Sequence, residues 1–353
     1  MYNNNTVMIL EETMKEIKTV DAVGQVLCHD ITQIIKDVSK GPVFRKGHII
    51  KEEDVPVLLS VGKDHIYVWE NDETMMHEND AAEVLCEICK GENISRSEAK
   101  EGKIELKAEC DGVLQINEET LNMVNSFGQM MIATRHGNFP VKKGDKLAGT
   151  RIIPLVIEKE KMEAVKEKAG TTPILNVRQY LPKKVGIVTT GNEVFLGRIK
   201  DTFTPVVVDK VREFGAEVVG HEYSDDDNQH IEDAIRKLLN EGADMILCTG
   251  GMSVDPDDKT PLAIRNVCGE VVTYGAPVLP GAMFLLAYYG ENQIPVMGLP
   301  GCVMYASRTI FDLVLPRIMV GEILSKEDFD RLGQGGLCLD CEICTFPNCG
   351  FGK

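Results

Sequence analysis

The fold of the C-terminal half is decided by the stretch Val185-Gly-Ile-Val-Thr-Thr-Gly-Asn-Glu193, in which an apolar run ends in a polar, glycine-containing turn. Further apolar runs follow along the chain, and helical patterns separate them. These runs are Ala216–Val219, Met245–Leu247, Val271–Thr273 and Pro295–Met297. Alternation of strands and helices is typical of a parallel sheet that is covered on both faces. Residues 183–324 are therefore predicted to form a doubly wound, mostly parallel α/β domain.

A polar motif follows four of the five predicted strands. These motifs are Thr189–Glu193, Ser224–Asp227, Thr249–Ser253 and Leu299–Gly301. Because parallel strands end at one edge of their sheet, and open α/β folds bind ligands at that edge, loops that are distant in sequence are expected to meet there. The sequence therefore predicts one site made of four loops.

Two glycine-containing loops are candidates for holding a phosphate group. Gly250 and Gly251 lack β-carbons and precede a helix predicted to start near Thr260, so their N–H groups could face an oxyanion. The second candidate, Gly298–Gly301, leads into a helix predicted from about Met304 to Val320, with Ser307 in its first turn. A Gly-Gly pair is also common in ordinary tight turns, so the prediction depends on all four loops together.

Three carboxylates in the same loops favour a cation. Glu193, Asp226 and Asp258 would repel a bound phosphate unless a divalent cation lay between them, and oxygen ligands of this kind suit Mg²⁺. The alternative for Asp226 or Asp227 is a simple role as the N-cap of the following helix. The sequence predicts a Mg²⁺-dependent anion site.

The order of these motifs resembles the molybdopterin-binding domain over about residues 183–321. That domain occurs in molybdopterin adenylyltransferases and gephyrin-like molybdopterin molybdotransferases, and a related domain occurs in nicotinamide-nucleotide amidohydrolases. The resemblance is carried by Thr190–Glu193, Gly197, Asp201-Thr202, Asp226, Thr249–Ser253, Asp258–Pro261 and Leu299–Gly301.

The resemblance implies a role for each matching residue. It makes Glu193, Asp226 and Asp258 catalytic, with the two aspartates used for Mg²⁺ and for nucleotidyl or molybdate chemistry. The residues implied to bind the pterin are Thr190, Gly191, Thr249, Gly250, Gly251, Ser253, Pro300, Gly301 and Ser307. The segment from Phe44 to Val68 is also similar to the part that precedes this domain in molybdotransferases. Their Asn-Ser-x-Met-Asp-Gly-Tyr-Ala segment has no counterpart in this sequence.

The remainder of the chain is predicted to form smaller parts. Residues 14–100 have the mixed pattern of a small α+β domain, and residues 101–157 have the short alternating stretches of a β-rich domain. Residues 158–182 are predicted to be a linker whose helix, Glu158–Ala169, ends at Gly170. Residues 325–353 are predicted to be a cysteine-rich, metal-binding tail.

The tail contains four closely spaced cysteines, Cys338, Cys341, Cys344 and Cys349. Four thiolates at this spacing could hold Zn²⁺ in a tetrahedral site, and the first three also have the spacing of an iron–sulfur protein such as a [4Fe-4S] ferredoxin. The alternative is a tail without metal. Cys86 and Cys89 lie on a predicted helix, Ala81–Lys90, and are expected to be buried thiols.

Composition excludes several classes of partner. The formal net charge is −17, which argues against a nucleic-acid or anionic-membrane surface. No apolar run has the length of a membrane span, and no signal pattern opens the sequence, so a cytoplasmic location is expected. The expected partners are a phosphate-bearing pterin with ATP or molybdate, and association into a homo-oligomer is left open.

Three functions are compatible with these features. The favoured one is an enzyme of molybdenum-cofactor biosynthesis that binds molybdopterin and carries out nucleotidyl or molybdate transfer. A non-catalytic molybdopterin sensor or carrier is the first alternative, because the additional molybdotransferase segment is missing. Hydrolysis of a nicotinamide nucleotide or a nucleotide pyrophosphate is the second alternative, and it is favoured by the run Asp257-Asp-Lys-Thr260.

Overall fold

The computed structural model describes residues 14–35, 39–69 and 74–353. The chain divides into two compact units. The first comprises Met1–Glu109, Ile116–Arg135 and Gly144–Asn176, and the second comprises Cys110–Gln115, His136–Lys143 and Val177–Lys353.

The N-terminal part of the first unit is built from antiparallel strand pairs around a short helix. Its elements are β1 (Met14–Lys18), β2 (Ile31–Ile35), β3 (Ser39–Phe44), α1 (Val55–Ser60) and β4 (His65–Trp69). Strand β1 pairs with β4, and β2 pairs with β3. Leu27, Ile50, Leu58 and Ile66 are buried between these elements and form their core.

The rest of the first unit combines a four-stranded sheet with helices. Its elements are β5 (Met75–His77), α2 (Glu78–Cys89), β6 (Ile94–Arg96), β7 (Lys103–Ala108), α3 (Glu118–Ser126), β9 (Met130–Thr134), β11 (Lys146–Ile152), β12 (Val156–Glu158) and α4 (Lys159–Ala169). The sheet order is β6-β7-β11-β9, and β5 pairs with β12. Helix α2 buries Cys86 and Cys89, as predicted. Helix α4 buries Met162 and Val165 and ends at Gly170, so its apolar face belongs to this core.

The second unit contains a small sheet and a large one. The small sheet consists of β8 (Gly112–Ile116), β10 (Phe139–Val141) and β13 (Leu175–Gln179) in the order β10-β8-β13. The large sheet consists of β14 (Lys184–Thr190), β15 (Glu217–Ser224), β16 (Met245–Thr249), β17 (Val271–Tyr274), β18 (Leu285–Tyr289) and β19 (Ile294–Leu299). Its order is β15-β14-β16-β19-β18-β17.

The large sheet confirms the predicted doubly wound α/β fold. Strands β15, β14, β16 and β19 are mutually parallel. The helices around them are α5 (Asn192–Phe195), α6 (Phe203–Arg212), α7 (Asn228–Asn240), α8 (Thr260–Cys268), α9 (Ile310–Met319) and α10 (Lys326–Asp330). Ile187 of β14 packs in one buried cluster with α6 and α9, whereas Val188 packs in another with α7 and α8. Because neighbouring strand residues face opposite sides, the sheet is covered on both faces.

Two features of this domain differ from the sequence predictions. Strand β18 was not predicted, and it lies antiparallel between β17 and β19. The helix predicted from Met304 begins instead at Ile310, after a 3₁₀ turn over Gly301–Met304. The later start follows from Thr309, because its hydroxyl accepts the Phe311 N–H and Asp312 accepts the Thr309 N–H in a capping box. Among the described residues, no helix combines the length and apolar character of a membrane span.

Candidate functional site

The four predicted loops leave the large sheet at the same edge. In the strand register, Thr190 lies beside Ser224, Thr189 beside Thr249, and Thr249 beside Leu299. The last residues of β14, β15, β16 and β19 are therefore adjacent. The predicted convergence of the loops is confirmed by this register.

The loop Thr249–Ser253, called the glycine loop below, has a backbone that requires its two glycines. Gly250 has φ +88° and Gly251 has φ +55°. A β-carbon on Gly250 would lie 2.2 Å from the carbonyl oxygen of Thr190, and one on Gly251 would lie 2.8 Å from the Thr260 hydroxyl. Both glycines are therefore fixed by positive φ and by close contact.

Buried threonines hold the glycine loop in place. The Thr190 hydroxyl donates to the Thr249 carbonyl at 3.2 Å and lies 3.0 Å from the Thr260 hydroxyl. The Thr260 hydroxyl in turn donates to the Gly250 carbonyl at 2.9 Å. Thr190 is 3% exposed and Thr260 is fully buried. These bonds occupy the carbonyl groups of the loop and turn them toward the protein.

The amides of the glycine loop remain available for an anion. None of the hydrogen bonds among the described residues uses the N–H of Gly251 or Met252 as donor. Helix α8 begins at Thr260, and the amino-terminal end of a helix favours negative charge. Free N–H groups beside a helix start are the usual means of holding a phosphate without a cationic side chain.

Met252 and Tyr274 support the glycine loop through contacts that the sequence does not predict. Met252 is 5% exposed and packs so closely on Gly298 that a β-carbon there would lie 2.5 Å from its sulfur. The Tyr274 hydroxyl donates to the Met252 carbonyl at 3.0 Å. Gly298 therefore makes room for Met252 inside β19, and it is not part of a second phosphate loop. No signal in the sequence links these two positions, because their contact depends on the sheet order.

The carboxylates of the site have separate partners. Asp226 accepts the Asn192 N–H at 3.0 Å, and Asp258 accepts the Ser253 N–H at 2.9 Å. The N-cap of α7 is Asp227, which accepts two N–H groups of the first turn, so the capping role does not belong to Asp226. Glu193 is exposed.

The residues at the site do not form the predicted Mg²⁺ site. Within the described residues there is no group of three or more His, Cys, Asp or Glu side chains that could hold a metal ion. Asp226 and Asp258 each direct one oxygen at a neighbouring loop amide. We therefore assign no step of the chemistry to a metal here.

The loop after β19 contributes backbone more than side chains. Pro300 is buried, and its carbonyl accepts the Val303 N–H at 3.0 Å. Gly301 is exposed with open space around it. Ser307 is exposed and lies before α9 instead of in its first turn, and its carbonyl accepts Lys210 at 3.4 Å.

The sequence also did not predict a polar group near the end of β14, which is formed by His221, Thr189 and Asp201. His221 Nε2 lies 2.9 Å from the Thr189 hydroxyl and 3.9 Å from Asp201. Burial lowers the pKa of His221, although Asp201 opposes the shift. Burial raises the pKa of Asp201, but hydrogen bonds from Thr204 and Phe203 outweigh it and leave that pKa low. A neutral His221 beside an ionised Asp201 therefore supports the end of β14.

The cysteine-rich tail packs on the second unit and does not form the predicted metal cage. Phe351 is 4% exposed within the domain core, and Phe346 lies against Phe139 at a ring-centre distance of 6.0 Å. Cys338 and Cys349 are half-buried, whereas Cys341 and Cys344 are exposed. Among the described residues, these cysteines do not form a group of three or more that could hold a metal ion.

Two family models match parts of the chain. A model described as a probable molybdopterin binding domain matches residues 186–320. A second model, described as Domain of unknown function (DUF8806), matches residues 16–70. Residues 186–320 are thus similar to molybdopterin-binding domains, which are related to molybdenum-cofactor biosynthesis.

Individual relatives are similar over parts of the chain. A CinA-like protein of Mycobacterium avium is 34% identical over 27% of this chain and 22% of its own length. A molybdopterin molybdenumtransferase of Synechococcus elongatus is 25% identical over 48% of this chain and 42% of its own length. The chain therefore spans about a fifth of the CinA-like relatives and less than half of the molybdenumtransferase.

Two solved structures are similar at low TM-scores. The molybdopterin biosynthesis enzyme MoaB of Thermus thermophilus has 23% identity and a TM-score of 0.34, and the alignment covers 40% of this chain and 98% of that one. A molybdenum cofactor biosynthesis protein of Pyrococcus furiosus has 15% identity and a TM-score of 0.27 over 92% of this chain and 72% of that one.

Proposed function

We propose that this chain, with its molybdopterin-binding domain, binds the phosphate of a molybdopterin at the glycine loop and acts as a transferase in molybdenum-cofactor biosynthesis. The observation that carries the proposal is the glycine loop itself. Its carbonyls are held by Thr190 and Thr260, and its Gly251 and Met252 amides have no internal acceptor among the described residues. The family match supplies the pterin as the ligand class.

The loops around the glycine loop could hold a second reactant. Asp226 and Asp258 each use one oxygen to accept a loop amide, and the other oxygen of each has no hydrogen bond within the described residues. Carboxylate oxygens at this edge could orient a nucleotide ribose or a water beside molybdate. In either reaction the attacking group would belong to the bound pterin, and the protein would position both reactants. Adenylate or molybdate transfer is therefore the chemistry that we propose.

The ligand can be identified directly by native mass spectrometry of the purified protein. Molybdopterin should be retained by the native protein and should give a fluorescent pterin after denaturation and oxidation. Gly251→Asp should abolish this binding, because a carboxylate would occupy the place of the phosphate. Gly242→Asp is the matched control, since Gly242 also has positive φ (+93°) but has open space around it. Equal pterin retention by both variants would remove the phosphate-loop assignment.

A hydrolase is a second candidate, because Asp258, Lys259 and Thr260 lie at the start of α8 beside the same loop. The same mass measurement separates the two, because a nicotinamide nucleotide differs from a pterin in mass and in emission. Hydrolysis would be favoured if the native protein binds the nicotinamide nucleotide and no pterin, and if Gly251→Asp no longer binds that nucleotide.

A carrier without catalysis is a third candidate, because the sequence lacks the additional molybdotransferase segment. Turnover decides between carrier and enzyme. If bound molybdopterin is neither adenylated with ATP nor loaded with molybdate, the transferase proposal is wrong and carriage remains. The same assay in EDTA tests the Mg²⁺ requirement that the sequence predicted.

A further inference from the structure

The first unit contains a cleft of about 1200 Å³ that the proposed function does not use. His29, Arg45, Lys46 and Tyr67 line it from the segment that matches the domain of unknown function. The opposite wall is formed by residues between His77 and Leu155. The volume is large enough for a nucleotide-sized ligand. We call this feature the charged cleft.

Two cations of the charged cleft lie directly beside each other. Arg151 of β11 pairs in register with Lys103 of the antiparallel β7. Side chains of such a pair project from the same face, and like charges in this position are unfavourable. Among the described residues, Lys103 makes one long ion-pair contact, to Glu101 at 4.0 Å, and Arg151 makes no ion pair within that distance. An anion bound between Lys103 and Arg151 would relieve their repulsion.

The facing wall presents two more cations on a well-ordered turn. Arg45 and Lys46 follow β3, and the Lys46 N–H donates to the Asp30 carboxylate at 2.8 Å. The Gly47 N–H donates to the Leu27 carbonyl at 2.8 Å, and Gly47 has φ +83°. Aspartate and glycine therefore fix the turn that carries both cations toward the cleft. Carboxylates including Glu98 and Glu101 also line the cleft, so a phosphate group would have to lie on the part where the four cations meet.

The interior of the cleft contains polar atoms that lack hydrogen bonds. His29 Nδ1 is buried without a hydrogen-bond partner among the described residues. The Glu78 carboxylate, on the first turn of α2, also makes no hydrogen bond within the described chain. Burial raises the pKa of Glu78 to about 7, although Arg151 opposes the shift. A buried polar atom such as His29 Nδ1 usually has a hydrogen-bond partner, and none is present among the described residues.

The cleft also offers apolar surface for a ring. Tyr67 is 37% exposed and Ile153 is 58% exposed, and both line the cleft. An aromatic face can stack on a heterocycle, and an ionised carboxylate such as that of Glu78 can accept two neighbouring N–H groups of the ring.

We propose that the charged cleft binds a phosphorylated heterocycle whose ring edge carries adjacent N–H donors. The phosphate would lie among Arg45, Lys46, Lys103 and Arg151, and the ring edge would face Glu78. Guanine nucleotides and phosphate-bearing pterins share this chemistry. The inference is independent of the glycine loop, because it rests on residues of the first unit.

Titration calorimetry with the full chain tests the proposal, with guanosine monophosphate as the probe. Guanosine monophosphate should bind at least about tenfold more tightly than adenosine monophosphate, which lacks the donor edge, and than inorganic phosphate. Lys103→Gln and Arg151→Gln should each weaken it by about tenfold. Lys107→Gln is the matched control, because this lysine is on the same strand outside the cleft, and it should leave binding unchanged.

Failure of the cleft proposal can be distinguished from misfolding of a variant and from failure of the proposed function. The apo melting temperature of Lys103→Gln should be equal to or higher than that of the native protein, since a repulsion is removed. If the Gly251→Asp variant retains pterin while the double variant Gly251→Asp/Lys103→Gln loses it, that result would assign the pterin, and not guanine, to the cleft. If neither guanosine monophosphate nor molybdopterin binds the first unit, or if Lys107→Gln weakens binding as much as Lys103→Gln, the proposal is wrong.

Discussion

The glycine loop and the charged cleft are both candidate anion sites, but they are built in opposite ways. The glycine loop uses backbone amides at the end of β16, and buried threonine hydroxyls satisfy its carbonyls. The charged cleft uses long side chains from the turn after β3 and from β7 and β11, with like charges placed together and with His29 Nδ1 unsatisfied. The first site has its threonine hydrogen bonds in place, whereas the second places two like charges side by side.

This difference predicts opposite effects of mutation in the two sites. Substitutions that disturb the glycine loop should lower stability and affinity together, because its bonds serve both. Substitutions that remove charge from the cleft should lower affinity and leave stability unchanged or higher. The experiments below test that contrast.

The largest expected change in stability comes from a substitution in the tail, which packs in the second unit. Phe351→Ala should lower the free energy of unfolding by about 3–5 kcal/mol, because a nearly buried aromatic side chain is lost from a core. Amide exchange should accelerate in peptides of the second unit only. Equal acceleration in both units would contradict the assignment of the tail to one core. Ile343→Ala, which truncates an exposed tail residue, is the control and should have little effect.

Gly250→Ala tests how rigidly the glycine loop is held. We expect the free energy of unfolding to fall by about 2–4 kcal/mol, because the new β-carbon would collide with the Thr190 carbonyl and the residue would keep positive φ. Gly242→Ala has the same backbone strain without the contact, and a loss of about 1 kcal/mol is expected. Denaturant titration measures both. Equal losses would mean that the loop can shift and that the contact with Thr190 is not a constraint.

Thr190→Val removes the hydroxyl that organises the loop. The Thr249 carbonyl and the Thr260 hydroxyl would each lose a partner, at a cost of about 1–2 kcal/mol. Pterin affinity should fall as well, because the loop amides would no longer be held in position. Thr150→Val, at a buried threonine of the first unit, should leave pterin affinity intact. A Thr190→Val protein with native affinity would show that the threonines serve stability alone.

Glu78→Gln should have the smallest effect on the free energy of unfolding, and it should raise that free energy where the other variants lower it. Its folded pKa of about 7 exceeds the ordinary value of 4.5, so the folded state holds a proton that the unfolded state releases between these values. Stability contributed by this group is therefore present below pH 4.5 and decreases as the pH rises to 7. At pH 8, Glu78→Gln should raise stability on the order of 1 kcal/mol, after allowance for solvent screening.

The pH dependence provides the check on Glu78. Thermal melts at pH 8 should show the variant above the native protein, and melts near pH 5 should show a smaller difference. A gain that is the same at both pH values would come from packing and would contradict the ionisation argument. Guanosine monophosphate binding should weaken in the same variant, which separates affinity from stability.

The fold of the second unit was largely predictable because its alternating runs are local patterns. Apolar runs such as Val185–Val188 predict strands, and the helical segments between them predict parallel order, so the shared edge follows. Strand β18 was missed because nothing in Leu285–Tyr289 reveals an antiparallel return. The start of α9 was placed too early because the capping box of Thr309 and Asp312 was not recognised.

The candidate sites were predictable to different degrees for the same reason. Gly250 and Gly251 were found because the motif is contiguous and follows a strand. Met252, Tyr274 and His221 were missed because their contacts join residues that are distant in sequence. The charged cleft was missed entirely, since the pairing of Arg151 with Lys103 depends on sheet register. The carboxylates and tail cysteines were assigned to metals because spacing alone does not show their hydrogen bonds or anchors.

The proposed function requires that molybdopterin is held by the amides of the glycine loop. Hydrogen exchange of the native protein with and without molybdopterin tests it most directly, because bound phosphate should protect amides that now lack an internal acceptor. We predict strong protection in peptides that contain Gly250–Ser253, and no such protection in Gly251→Asp. Unchanged exchange at this loop with saturating molybdopterin, or protection confined to the first unit, would contradict the account.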